Sequence, residues 1–192
     1  NKLAIMTLNR HQNCFDMYFA DPRSTVCKLT LRDESPYYIN ENVFDNIRFY
    51  PDNFSFVSDK SGYPHLYWYS MNGNLIKQVT SGNYEVKSFI GWNPDTNEFY
   101  YTSNEESPMR QAVYKIDRKG KKVKLSNQQG TNSPIFSSSM KYFMNKFTSL
   151  DTPMLITLYV NTGKVLKTLV TNDKLKEKLA GYAIPRKEFF TF

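Results

Sequence analysis

The chain has 192 residues, a formal net charge of +7 and 16% aromatic residues, with 14 Tyr and 14 Phe. That length fits one domain or part of a larger one, and the aromatic excess suits the pleated, half-buried surfaces of strands. No run is apolar for long enough to cross a bilayer, the opening "NKLAIMTLNR" is not a signal peptide, and neither Asn1 nor the final "EFFTF" reads as a natural terminus.

In chain order, "LAIMTLNR" and "DMYFADPRSTVCKLTL" (16–31) read as strands around a turn near Asp21 to Ser24. A turn centred between Pro22 and Arg23 sets Cys14 opposite Leu31 and Cys27 opposite Tyr18. A disulfide needs β-carbons about 4 Å apart, so two unpaired thiols are expected.

The next segments repeat one another. "HLYWYSMNGNLIKQVT" (65–80), "AVYKIDRKGKKVKLS" (112–126) and "LITLYVNTGKVLKTLV" (155–170) align with Gly73, Gly120 and Gly163 in register, 47 and 43 residues apart. Ser24 takes the glycine's place in the first unit. Asn72-Gly73 predicts a two-residue hairpin turn with positive φ angles. Tyr67 and Tyr69 alternate with Leu66, Trp68 and Ser70, so both faces of that strand are expected to be covered by neighbouring sheets.

Each glycine follows an aromatic strand, a turn signal and a short apolar strand, as in "NIRF" (46–49), "SFIGW" (88–92) and "SPIF" (133–136). Four short strands per unit of about 45 residues predict β-propeller blades. An immunoglobulin-like sandwich is the competing architecture, but it does not repeat a turn glycine at that period. The expected fold is all-β: a partial propeller with blades at about 1–32 (incomplete), 37–80, 84–126 and 130–171. In "NDKLKEKLAGYAIP" (172–185), Asn172 and Asp173 are possible N-caps, Leu175 and Leu179 share a helical face, and Gly181 and Pro185 end the helix. A strand is expected over 186–192, so 172–192 reads as an exit towards another domain.

Catalytic chemistry is not expected in the chain itself. No G-x-S-x-G frames a nucleophile, Ser137 to Ser139 read as a turn, and His11 and His65 have no triad context. Two Cys and two His, scattered, make no zinc site, and calcium, phosphate and dinucleotide loops are missing. No metal or cofactor is expected. The densest basic cluster, "RKGKKVK" (118–124), surrounds a hairpin turn, so nucleic acid is not an expected partner. Glu105-Glu106 is read as a charged loop facing water.

"FVSDKSGYPHLYWYSMNGNLIKQVTSGNYEV" (56–86), "FYYTSNEESPMRQAVYKID" (99–117) and "YAIPRKEFFTF" (182–192) resemble the dipeptidyl peptidase IV branch of the prolyl oligopeptidase family. The resemblance implies the later half of an eight-bladed propeller, over residues 1–171, followed by the entry to an α/β-hydrolase domain that carries the Ser, Asp and His triad elsewhere. The family's paired glutamates that bind a substrate amine lie in an earlier blade, so Glu105-Glu106 is not that pair.

It implies a serine-type peptidase removing N-terminal X-Pro or X-Ala dipeptides, with this portion gating access, a peptide substrate and the hydrolase domain as partners, and a periplasmic, secreted or cell-surface location. In "YYINENVFDNIRF" (37–49), Glu41 and Phe44 are candidate substrate-flanking residues, against a solvated Glu41 and a Phe44 packed between blades. A stand-alone propeller binding protein or glycan is the alternative function. The uncovered sides of a blade array are expected to self-associate.

Overall fold

In a computed structural model, residues 2–185, 188 and 190 are described, and they form four antiparallel sheets and one α-helix. The strand expected over 186–192 falls largely outside the described residues. The chain divides into two compact units, Asn1–Phe89 and Ile90–Phe192.

The first unit holds a three-stranded sheet, β1 (Leu3–Leu8), β2 (Cys14–Ala20) and β3 (Cys27–Glu34), and a four-stranded one. The second sheet comprises β4 (Ile47–Phe49), β5 (Asn53–Ser58), β6 (His65–Ser70) and β7 (Leu75–Gln78). Both run in sequence order, the simplest meander that short turns permit. Phe15, Met17 and Phe19 of β2 and Leu31 of β3 face Phe54, Phe56, Tyr67 and Tyr69 across one apolar core. Phe15 stacks on Phe56 with centroids 5.6 Å apart, and Phe54 on Tyr69 at 5.1 Å. The Phe15–Phe56 stack joins the two sheets, while Phe54 and Tyr69 pair on neighbouring strands of the second. Leu66 and Trp68, on the opposite face of β6, are buried as well.

A third sheet is built from β8 (Val86–Asn93), β9 (Glu98–Ser103), β10 (Ala112–Ile116) and β11 (Lys122–Lys124). A fourth contains β12 (Thr131–Phe136), β13 (Tyr142–Thr148), β14 (Leu155–Val160) and β15 (Val165–Val170). In the second unit Tyr100, Val113 and Leu125 pack against Phe143 and Tyr159, and Phe136, Phe143 and Tyr159 form a continuous stack with centroids 4.7 and 4.9 Å apart.

The repeated glycines mark a different turn from the predicted one. Ser70 N–H donates to Asn74 C=O (3.0 Å) and Gly73 N–H to Ser70 C=O (2.9 Å), and the same pair of bonds recurs at Asp117/Lys121 with Gly120 and at Val160/Lys164 with Gly163. Only the glycine is left-handed in each, with φ of 85°, 86° and 87°, while Asn72 has no positive φ. This is a three-residue loop ending in a glycine bulge, not a two-residue turn.

The β2–β3 connection differs again. It runs from Asp21 to Val26, and Thr25, not Ser24, takes the left-handed conformation (φ 58°). The longer loop and a bulge at Met17/Tyr18 reset the register, so Cys14 lies opposite Glu34 and Cys27 opposite Ala20. Both cysteines are free.

Helix α1 spans Asp173–Ala180. Asn172 does not cap it: its backbone is left-handed, and its side-chain amide donates to Met154 C=O at 2.6 Å. Leu175 and Leu179 remain 45% and 37% exposed, so the helix buries no apolar stripe.

Candidate functional site

The segment that joins the first two sheets carries the predicted substrate-flanking residues. It forms a 3-10 turn over Glu41–Asn46, begun by Asn40, whose side-chain oxygen accepts from Asn42 N–H at 2.9 Å. Ile39 and Val43 are its anchors, 5% and 4% exposed within the first-unit core. With those two pointing inward, Glu41 is left exposed. Phe44 is exposed, at 39%, and rests edge-on against Phe15 at 5.8 Å. It therefore both packs on the first sheet and shows part of its ring to solvent.

Tyr37 and Tyr38, which sequence reasoning did not single out, are exposed just before this turn. The doubled tyrosine in "SPYYIN" was the available signal, since large rings in a loop between strands have no sheet face to fill. The segment thus offers three partly or wholly exposed rings and one carboxylate within eight residues.

Beside the turn lies a polar cluster, buried at Asp33 and Ser58 and exposed at Lys60. Asp33, at the end of β3, accepts from Ser58 Oγ at 2.7 Å, and Ser58 Oγ in turn accepts from Lys60 N–H at 3.1 Å. Lys60 Nζ donates to Tyr69 OH at 2.6 Å and sits 4.1 Å from the centroid of the Tyr67 ring. Burial pushes the Asp33 carboxyl above its ordinary range, opposed by the Ser58 hydrogen bond and the Lys60 charge. Burial and the nearby Asp33 charge push the Tyr69 hydroxyl up to about 12.

The Asp33 shift has a stability consequence. A carboxyl whose pKa is higher folded than unfolded favours folding at low pH, and that contribution is lost as pH rises through the folded value. We predict that the unfolding free energy of Asp33→Asn, relative to the parent chain, rises from about pH 4 upward. Denaturant titrations across pH check this; a flat difference would show that Asp33 ionises as freely folded as unfolded.

The remaining sequence candidates resolve into structural roles. His65 is 1% exposed. Its Nε2 lies 2.9 Å from Gly82 C=O, so it carries the proton; Thr80 Oγ1, 3.1 Å from Nδ1, accepts from Leu66 N–H and donates to the ring. The histidine pins the chain leaving β7 and faces no nucleophile. Glu105 and Glu106 do not stand free in water. They pair with Lys122 and Lys124, and the Glu105 side chain is only 14% exposed. Two lysines of the basic hairpin are thereby committed to neutralising the acidic pair. Among the described residues, no group of three or more His, Cys, Asp or Glu is placed to hold a metal.

Residues 1–154 match the family described as the dipeptidyl peptidase IV (DPP IV) N-terminal region. The chain belongs to this family. Its likeness to Porphyromonas gingivalis dipeptidyl peptidase 4 runs through 98% of the chain and 27% of that structure, with a TM-score of 0.94 and 40% identity. The four sheets are thus blades of the DPP IV-type propeller, three complete in strand number and one with three strands.

Dipeptidyl peptidase 4 of Arthroderma otae is 28% identical over 138 residues, and that of Trichophyton rubrum 28% over 139; each alignment covers 70% of the chain and 18% of the relative. A Bacteroides ovatus protein of known structure shares the fold, with a TM-score of 0.76 at 21% identity over 88% of the chain and 27% of its own length. The chain therefore spans between 18% and 27% of the length of the proteins it matches.

Proposed function

We propose that the chain is the non-catalytic propeller portion of a serine-type dipeptidyl peptidase that removes N-terminal X-Pro or X-Ala dipeptides. Its blades wall off the approach to a hydrolase domain elsewhere in the longer protein. The observation that carries this is the end-to-end match to Porphyromonas gingivalis dipeptidyl peptidase 4. The physical basis is packing: stacked rings between sheets make a stiff wall, and a stiff wall admits short or unfolded peptide ends while excluding folded domains.

In this reading the 3-10 turn is the substrate-facing element, with Glu41 and the exposed part of Phe44 flanking the peptide. The partners of the chain are the peptide and its own hydrolase domain, and the longer protein works in the periplasm, at the cell surface or outside the cell. Expressed alone, the chain self-associates through apolar residues such as Leu3 and Ile5, 56% and 39% exposed on the edge strand β1.

The test is kinetic, on the longer protein. Phe44→Ala and Glu41→Ala should each raise KM for a Gly-Pro chromogenic substrate by about threefold to tenfold with kcat little changed, as expected for lost uniform binding. Unaltered KM in both variants would remove the turn from the substrate path.

A further inference from the structure

Helix α1 and the β13–β14 loop form an apolar groove of about 760 Å³ in the second unit. Leu150, Pro153 and Met154 of the loop line one side, and Leu175, Leu179 and Ile184 the other. The two sides are tied together. Asn172 Nδ2 donates to Met154 C=O at 2.6 Å, and a bond from Ser149 N–H to Thr152 C=O at 3.3 Å closes the loop. Yet Leu150, Met154, Leu175, Leu179 and Ile184 are between 37% and 55% exposed.

So short a helix is not stable on propensity alone, since most helical stability in proteins comes from packing an apolar face. α1 has eight residues, and none of them is buried. Its two groove-lining leucines sit four apart, on one face. A contiguous exposed apolar patch marks an interaction surface. A small ligand does not fit, because small-ligand sites fix their occupant with a few precisely placed polar groups in a concave pocket. No polar residue lining this groove is buried.

The groove's place in the family indicates what covers it. The match to the N-terminal region ends at residue 154, on the groove itself. β14, β15 and α1 lie past that region, and α1 is the last of the described elements. The chain accounts for only 27% of the Porphyromonas gingivalis structure that it matches. The groove thus stands where the N-terminal region gives way to the rest of a longer protein.

We propose that this groove is a docking seat for an apolar segment of the hydrolase domain of the longer protein, which covers Leu175 and Leu179 and holds α1 in place. This inference rests on the reading of the chain as the propeller portion of a dipeptidyl peptidase.

The experiment compares amide hydrogen exchange over Asp173–Ala180 in the 192-residue chain and in the longer protein, with dipeptide release assayed on the same samples. Exchange about tenfold or more slower in the longer protein is the expected result, because docking removes the local opening of an unsupported helix. Leu175→Ser combined with Leu179→Ser should abolish that protection in the longer protein while leaving the denaturation midpoint of the isolated chain unchanged. Should the double variant of the longer protein fail to fold, the comparison of the two unmutated proteins decides alone. Equal exchange in a longer protein that releases dipeptides overturns the docking and leaves the peptidase reading standing. Slow exchange in one that releases none supports the docking and removes that reading. Exchange that slows with concentration in the isolated chain makes a second copy the occupant, and overturns the proposal.

Discussion

Gly73→Ala is expected to destabilise the chain by about 3–4 kcal/mol, while Gly120→Ala costs only about 1–2 kcal/mol. The two glycines share the same turn and nearly the same φ, 85° and 86°. They differ in what a methyl group would meet. At Gly73 a Cβ would lie 1.9 Å from Thr30 O, a backbone atom of β3 that cannot rotate away; at Gly120 nothing stands within 4 Å.

Both variants carry the left-handed strain of an L-residue, and only Gly73→Ala adds a clash that forces the β6–β7 turn off the first sheet. Gly163 is intermediate, with its nearest atom, Leu125 O, at 3.2 Å. Chemical denaturation of the two alanine variants decides the matter. Equal losses would mean that the turn glycines serve backbone conformation alone and that the β6–β7 turn does not bear on β3.

Phe56→Ala should cost about 3–5 kcal/mol, the range for deleting a fully buried aromatic ring. Phe56 is 0% exposed and stacks on Phe15, itself 0% exposed, across the two sheets of the first unit. Because the rings share one contact, losses in the double variant with Phe15→Ala should fall short of the sum of the singles by about 0.5–1.5 kcal/mol. Strict additivity would say that the sheets are held by independent contacts rather than by the stack.

The blades were readable because two local signals agree in each of them. Strands such as "HLYWYS" carry large residues on both faces, and in the three four-stranded blades a glycine follows the penultimate strand at a regular interval. What the sequence concealed lies in geometry that no short window encodes. Asn72-Gly73 suggests a two-residue turn, yet the bulge lets the outer strand rejoin one residue later, and only the hydrogen bonds reveal it. The same mechanism misplaced the cysteines: a bulge at Met17/Tyr18 and a loop bearing a left-handed Thr25 shift the pairing away from simple symmetry.

The candidate site was legible in part. Glu41 and Phe44 could be located on the segment entering the second sheet, and Tyr37 and Tyr38 were visible beside them. The Asp33 cluster was not, because Asp33 and Ser58 are 25 residues apart and neither position is unusual by itself. Glu105 and Glu106 looked solvated for the same reason, their lysine partners lying 17 and 18 residues away.

The most direct test of the central claim is dipeptide release from a Gly-Pro chromogenic substrate, measured in parallel for the 192-residue chain and for the longer protein that contains it. Turnover by the longer protein alone is the predicted result. Turnover by the isolated chain, or none by the longer protein on X-Pro and X-Ala substrates, would contradict the account.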